Sequence, residues 1–226
     1  MIEHDVQQTI TMRDILRART GEAHERLHTH SMFADMFDGS LSRASYCRLM
    51  QRFHGFYAPL DQAVLDAIAG MDQGIRPYPY AKRATFLAQD LVDLGAATLG
   101  PEQSPQCKRV SEIVTPATLG GVLYVIEGAT LGASQIDRAA QKLLGTQGIG
   151  GRSFWAWGRA QNRQRWSMAN AYLEHLGAQG ICVDDITRGA QQTFEALADW
   201  LAPLDEGAVN EGAMNEGALA DREQKP

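Results

Sequence analysis

The segment HERLH at residues 24–28 has the HExxH spacing of zinc proteases. Two imidazoles one helical turn apart can hold a zinc ion, and the glutamate between them can act as a general base. A catalytic zinc site needs a third ligand, and the usual extension is missing because Ser31 and Ala34 occupy the positions of its glycine and third histidine. The spacing is therefore compatible with two interpretations, a zinc site or two solvated histidines on a polar helix face.

The same helix face also suits a site that needs only one histidine. Haem iron takes a single neutral imidazole on its proximal side, and the haem propionates need a cation within reach. Arg17 lies two helical turns before His24, so both side chains project from one face. One helix could therefore present an iron ligand and a propionate-binding cation.

A second segment with unusual chemistry is TPATLGGVLYVIEGATLGASQ, residues 115–135. Glycine weakens a helix interior by roughly 0.5–1 kcal/mol relative to alanine, so something must compensate. One interpretation is close helix packing through Gly128 and Gly132. The other is that the missing side chains let the backbone lie against a flat ligand and leave room for a small molecule such as O2. Spacing alone does not decide between the two. The glycines of this segment are Gly120, Gly121, Gly128 and Gly132.

Apolar residues at helical spacing predict an all-α scaffold that positions these segments. The first amphipathic helix is expected over about residues 12–30, and the next begins after Ser42 and is kinked near its end by Pro59. No period-2 pattern indicates a strand. Further helices are predicted over residues 86–94 with Gly95 as a stop, from Thr115 as N-cap to about Gly145, over 166–177, and from about Asp184 to a point before Pro203.

Three stretches depart from the helical pattern. Residues 145–153 hold four glycines and predict a mobile connection, without the preceding strand that a dinucleotide fingerprint requires. Residues 1–11 are expected to form a flexible N-terminus. The pentads EGAVN, EGAMN and EGALA predict a disordered acidic tail over residues 205–226, because they carry no large apolar face. The single helical domain is therefore expected over residues 12–204.

Composition limits the classes of function. The chain of 226 residues is 44% hydrophobic and 21% charged, which is enough apolar material for a core. Its formal net charge of −6 argues against general nucleic-acid binding. Three well-separated cysteines, Cys47, Cys107 and Cys182, form neither a disulfide framework nor a CxxC metal site. With no recognisable signal peptide or membrane-length apolar run, we expect a soluble, cytoplasmic protein with no membrane or nucleic-acid partner.

Three segments, in order along the chain, resemble the haem oxygenase family. They are LRARTGEAH at residues 16–24, FDGSLSRASYCRLMQRFHGFYAPLD at 37–61 and LYVIEGATLGAS at 123–134. The resemblance extends from about residue 13 to residue 201 and is closest to the bacterial biliverdin-producing enzymes, including those associated with bacteriophytochromes. The glycine-rich segment is the more specific of the motifs.

The resemblance implies a haem oxygenase-like helical bundle with haem between a proximal and a distal helix. Haem would be both cofactor and substrate, cleaved by O2 and reducing equivalents to biliverdin, carbon monoxide and ferrous iron. An external electron donor, a ferredoxin or a reductase, is implied as a partner, and a bacteriophytochrome as a biliverdin acceptor. A non-catalytic haem-binding or storage protein of the same fold is the alternative, and an all-α protein that binds another small molecule is a third hypothesis.

The family's functional positions can be carried onto this chain one by one. His24 matches the proximal iron ligand, and Arg17 matches the base that contacts a propionate. Tyr124 matches a haem-contacting tyrosine one turn before the distal glycine. Gly128 and Gly132 match the distal glycines over the haem face, where the resemblance makes them the catalytic positions.

Two positions depart from the family pattern. His28 stands where many members carry a glutamate that orients the proximal imidazole, so it offers a hydrogen bond without negative charge. Ala129 follows Gly128 where the animal enzymes have an aspartate that organises water. Backbone groups or Gln135 are the expected replacements.

Residues 152–166 form a basic, tryptophan-rich stretch in an acidic chain. Stacking on nucleic acid is opposed by the net charge. A solvated helix face with the tryptophans in the core is a second interpretation, and propionate contacts with docking of an acidic electron donor, which the resemblance favours, are a third. The residues concerned are Arg152, Arg159, Arg163 and Arg165, among Phe154, Trp155, Trp157 and Trp166.

Overall fold

The computed structural model describes residues 10–96, 105–145 and 147–204, and within these ranges the secondary structure is helical, with no strand. The predicted all-α class is confirmed. The predicted tail lies outside the described residues, as does most of the predicted flexible N-terminus. The helices are α1 (Met12–His28), α2 (Ser31–Asp38), α3 (Arg43–Ala69), α4 (Ala84–Asp93), α5 (Arg109–Ile113), α6 (Leu119–Gly128), α7 (Ala133–Leu144), α8 (Ser153–Ala178) and α9 (Val183–Leu201), with a 3-10 turn (Ala129–Gly132) between α6 and α7.

Local capping sets both ends of α1. At its start, the Thr11 hydroxyl accepts from the Asp14 backbone N–H, and the Asp14 carboxylate accepts from the Thr11 N–H. The helix ends at His28, two residues before the predicted end. It stops there because His30 caps α2 instead, its Nδ1 accepting from the Met32 backbone N–H at 3.2 Å. The pattern did not predict α2, whose apolar residues follow those of α1 almost without a break.

Helix α3 continues through Pro59 to Ala69. Proline has no N–H to donate to the carbonyl four residues earlier, which belongs to Gly55. That carbonyl accepts instead from the Cys107 backbone N–H at 2.9 Å. A Cβ on Gly55 would lie 2.2 Å from the Pro105 carbonyl oxygen, so only glycine allows this chain crossing. A tertiary contact thus supplies the donor that the proline lacks.

Two helices are capped by carboxylates from elsewhere in the chain. Asp61 of α3 accepts from the backbone N–H groups of Arg83 and Ala84 at the start of α4, both at 2.8 Å. Asp90 of α4 accepts from the N–H groups of Ser153 and Phe154 at the start of α8, at 2.6 and 2.9 Å. Both aspartates are buried. These caps join α3, α4 and α8 into one framework.

Helix α6 runs through the core and packs against α8 and α9. A Cβ on Gly121 would lie 1.8 Å from the Ile186 carbonyl oxygen of α9, and one on Gly189 of α9 would lie 2.3 Å from the Thr118 carbonyl oxygen. These glycines let the two helix backbones touch. Close helix packing through glycine therefore occurs where α6 crosses α9.

The single helix predicted from Thr115 to about Gly145 is wrong in two respects. It begins at Leu119, because the Thr118 hydroxyl donates to the Ile113 carbonyl and holds residues 115–118 in a turn. It is then interrupted by the 3-10 turn, where the Thr130 hydroxyl donates to the Glu127 carbonyl at 2.6 Å. The predicted end is correct, since Gly145 adopts a left-handed conformation after Leu144.

Candidate functional site

A cavity of about 620 Å³ is lined on one side by α1 and on another by residues 124–136, which include the 3-10 turn. Small-molecule sites span roughly 300–1,000 Å³. The structure brings all five sequence-predicted site residues onto its walls: Arg17, His24, Tyr124, Gly128 and Gly132. The rest of the lining is mainly apolar and aromatic, and includes Phe53, Tyr57, Trp155, Trp157, Trp166 and Phe194.

The α1 wall presents polar groups at helical spacing. Arg13, Arg17, Thr20, Gly21 and His24 follow one another at intervals of one to four residues, and each lines the cavity. A Cβ on Gly21 would meet no atom within 4 Å, so this glycine leaves open space beside His24. Sequence reasoning missed Gly21, although a glycine inside an amphipathic helix on the face of a proposed ligand was a usable signal.

His24 and His28 are exposed side chains that both line the cavity. Their ring centroids are 6.0 Å apart and the rings are nearly parallel, at 17°. His24 also contacts Phe194 of α9, in an edge-to-face arrangement with a centroid distance of 5.8 Å. Phe194 thus restricts the orientation of an imidazole that a ligand can still reach.

Gly128 and Gly132 have different neighbours. A Cβ on Gly132 would meet no atom within 4 Å, whereas one on Gly128 would lie 3.2 Å from Cζ3 of Trp166. The interpretation that Gly128 and Gly132 pack together against another helix backbone is therefore wrong. Gly132 leaves space in the cavity, and Gly128 accommodates an indole that itself lines the cavity.

Tyr124 joins the cationic end of the α1 wall. Burial raises the pKa of its phenol, while a hydrogen bond with the Thr20 side chain and the charges of Arg13 and Arg17 act in the opposite direction. Its ring lies 5.4 Å from that of Trp166. Tyr124 is thus a neutral hydrogen-bonding group among guanidinium charges.

A buried ionic network supports the segment that carries the distal glycines. The Glu127 carboxylate, which is 0% exposed, accepts from Nη2 of Arg83 at 2.5 Å, from the Tyr78 hydroxyl at 3.0 Å and from Arg165. Because Glu127 directly precedes Gly128, the network anchors the end of α6. Sequence reasoning missed this carboxylate, although a lone acid in the apolar run LYVIEGATLG is a signal of a buried pair.

Most of the predicted basic stretch is engaged within the protein. Arg152 and Arg159 both pair with the buried Asp137, the latter at 2.9 Å, and Arg165 pairs with Glu127. Arg163 is exposed. The expectation that this stretch supplies free cations for a ligand is thus corrected for three of the four arginines, whose charges face carboxylates. Trp155 is buried, and Trp157 and Trp166 are half-buried against the cavity, so the stacking surface for nucleic acid is not formed by these rings.

The zinc interpretation of the HERLH segment lacks a third ligand in three dimensions as well. Among the described residues, no group of three or more histidine, cysteine, aspartate or glutamate side chains is placed to hold a metal ion. Within the same ranges, none of the helices combines the length and apolarity of a membrane span.

Comparison with known proteins identifies the family to which this chain belongs. A family model described as Heme oxygenase matches residues 11–202. No curated protein sequence matches the chain. The structure of heme oxygenase from Leptospira interrogans superposes with a TM-score of 0.70 at 17% identity, covering 85% of this chain and 99% of that one. Heme oxygenase-1 from the cyanobacterium Synechocystis, solved in complex with heme, gives a TM-score of 0.65 at 18% identity, covering 93% of this chain and 100% of that one.

The match of the family model covers most of the chain, and both structural neighbours share the helical fold. Haem is the substrate and cofactor of the family, and O2 and an external donor, a reductase or a ferredoxin, are its co-reactants. The chain therefore belongs to the haem oxygenase family, and it is an oxidoreductase that cleaves haem to biliverdin.

Proposed function

We infer that the cavity beside α1 is the haem site of this enzyme, with His24 as the proximal iron ligand, Arg17 and Tyr124 as propionate contacts, and Gly128 and Gly132 as the distal catalytic positions. One observation carries this proposal. A reachable imidazole on one wall and the open space left by Gly132 on another line the same apolar cavity.

The charge of the lining fits haem. Among the described residues that line the cavity there is no aspartate or glutamate, whereas Arg13 and Arg17 carry positive charge. A flat apolar ligand with carboxylates at its edge matches such a lining. The donor set also fits, because the accessible imidazole of His24 is the neutral ligand that haem iron accepts.

Bound haem would supply the iron at which O2 reacts and the porphyrin that is cleaved. The part of the protein is to hold and orient that substrate. His24 would fix the iron position, Phe194 would restrict the His24 ring, and the aromatic walls would exclude water. His28, whose ring lies beside that of His24, would offer a hydrogen bond next to the iron ligand without adding negative charge.

Proton delivery would depend on neutral groups. Ala129 supplies no carboxylate, whereas the side chains of Gln135 and Tyr57 line the cavity. Burial raises the pKa of Tyr57 to about 12, so its phenol keeps its proton at neutral pH and can orient water as a donor. We assign water positioning to Gln135, to the Tyr57 hydroxyl and to backbone groups of residues 128–132.

Replacing Gly132 by leucine tests the distal assignment. We expect the variant to fold and to bind haem through His24, because a Cβ at this position meets no atom within 4 Å. Its O2-dependent loss of haem absorption should slow on the order of 100-fold, since a misplacement of about 1 Å can cost that much. Single-turnover absorption kinetics and a thermal melt measure the two effects.

The control is Gly74→Leu, at a glycine that also has open space around it but does not line the cavity. It should turn over at the wild-type rate. A Gly132→Leu protein with wild-type turnover and a lowered melting temperature would show that Gly132 serves packing instead.

We also propose a biliverdin acceptor, a cellular location and the bounds of the domain. Biliverdin transfer to a bacteriophytochrome is assigned on the basis of the resemblance to bacterial enzymes that are associated with such proteins. A cytoplasmic location is supported by the cysteines, since Cys47, Cys107 and Cys182 are all free thiols. A folded domain over residues 12–204 is supported by the family match to residues 11–202.

A further inference from the structure

The cavity has two guanidinium groups at one end, and only one of them was expected. Arg13 precedes Arg17 by one helical turn, and both are exposed side chains that line the cavity. In the part of the chain that the structure describes, neither forms a salt bridge, and Asp14, whose pKa their charges help to lower, accepts hydrogen bonds from Thr11 at the start of α1. The third arginine of the lining, Arg83, is 1% exposed and forms a buried ion pair with Glu127, a carboxylate that it shares with Arg165. Two positive charges are thus available to a ligand, both on α1.

Arg13 lies against the aromatic part of the cavity wall. Its guanidinium carbon lies 5.9 Å from the ring centroid of Trp166, which in turn lies 5.4 Å from the ring of Tyr124. The charges of Arg13 and Arg17 both act on the Tyr124 phenol. The two guanidiniums and the phenol therefore form one polar cluster at the edge of an apolar cavity.

Arg152, which precedes α8, and the arginines of α8 do not offer an equivalent cluster, and Arg163 is exposed but does not line the cavity. Arg152 and Arg159 face Asp137, and Arg165 is buried against Glu127. The resemblance had implied propionate contacts from this late helix. Here the carboxylates inside the protein already occupy those three cations, and none of the three lines the cavity.

We propose that Arg13 is a second propionate-binding residue, so that Arg13 and Arg17 each bind one of the two haem carboxylates and α1 alone fixes how haem is turned in its own plane. This inference rests on the proposed haem site. Guanidinium groups suit the role because they pair with carboxylates in a planar, directional way. Since the rotation of haem in its plane decides which meso carbon lies where O2 reacts, Arg13 would also affect which biliverdin isomer forms.

The test compares the affinity of ferric haem with that of ferric haem dimethyl ester, whose propionates carry no charge. Absorption titrations would use the wild type, Arg13→Gln, Arg17→Gln and the control Arg19→Gln. Arg19 lies on the same helix but pairs with Asp184 at 2.6 Å and does not line the cavity. We expect Arg13→Gln and Arg17→Gln each to weaken haem binding about tenfold. Affinity for the diester should stay at the wild-type value in all four proteins.

The outcomes separate the inference from the proposed function. If the wild type binds haem through His24 and Arg13→Gln binds it equally tightly, the inference is wrong and the haem site stands. Equal weakening of haem and diester would assign Arg13 a structural role through Trp166 and would also refute it. Failure of the wild type to bind haem would overturn both. Product analysis adds a readout, because loss of either guanidinium should broaden the distribution of biliverdin isomers.

Discussion

His24→Ala is expected to abolish the normal ferric haem absorption spectrum. The imidazole of His24 is the accessible donor of α1 that the family pattern places under the iron, and alanine has no group that can replace it. Imidazole added to the solution should partly restore the spectrum, because the cavity left by the side chain is open to it. Absorption and resonance Raman spectra of the reconstituted variant measure both effects.

His28→Ala is the matched control, since it removes the neighbouring imidazole from the same wall. Its ring stacks on that of His24 at 6.0 Å, so it can alter the strength of the ligand but does not replace it. Removing a group beside a metal ligand typically costs about 10–100-fold in affinity or activity, and we expect the lower end because His28 supplies no negative charge. Equal loss of stoichiometric zinc from both variants, with unchanged haem spectra, would refute the assignment of His24.

Glu127→Ala should lower the free energy of unfolding by about 3–5 kcal/mol, which is the usual cost of removing one partner from a buried ion pair. The change would leave Arg83 and Arg165, both buried, without their shared carboxylate. It would also remove the acceptor of the Tyr78 hydroxyl, whose pKa burial and Glu127 raise. Chemical denaturation followed by circular dichroism measures the loss of stability. The free energy of unfolding of Glu127→Gln should lie between those of Glu127→Ala and the wild type.

Glu195→Gln is the control for that experiment. Glu195 pairs with Arg109 at 3.2 Å on the surface, where both side chains are nearly half exposed. Such pairs contribute about 0–1 kcal/mol, so its unfolding free energy should be close to that of the wild type. A similarly small change in Glu127→Ala would show that the network does not stabilise the distal segment.

The parts of the site that the sequence predicted are those encoded locally. Arg17 and His24 share a face because a helix repeats every 3.6 residues, and the capping box at Thr11 starts that helix within a few residues of them. The family resemblance at residues 123–134 pointed to Gly128 and Gly132. These features can be predicted without knowing which other segments pack against them.

The parts that were missed depend on distant segments. Asp61 and Asp90 cap helices that begin 23 and 63 residues later in the chain, and Glu127 contacts an arginine 44 residues before it. No local pattern identifies these partners. A continuous helix from Thr115 to about Gly145 was predicted because apolar residues recur at helical spacing in that segment. The Thr130 hydroxyl bond that accompanies the 3-10 turn does not alter that spacing.

The role of each glycine also depends on the atoms that surround it in the fold. Gly121 and Gly132 occur in the same glycine-rich run, yet one touches the backbone of α9 and the other borders open space. The sequence left both interpretations open: close packing occurs at Gly121 and not through Gly128 and Gly132, and Gly132 leaves space in the cavity for the ligand that we propose. Arg165 shows the same limit, because a residue in a basic stretch was expected at the surface and is buried against Glu127.

An anaerobic titration of the wild-type protein with haem, followed by admission of O2 and a reductant, tests haem binding and haem cleavage in one experiment. We expect a Soret shift that saturates at a single haem per chain and then disappears as a biliverdin absorption grows in the red. A Soret band that stays unchanged under O2 and reductant would show a haem-binding protein without turnover. The absence of any Soret shift on haem addition would contradict the haem site itself.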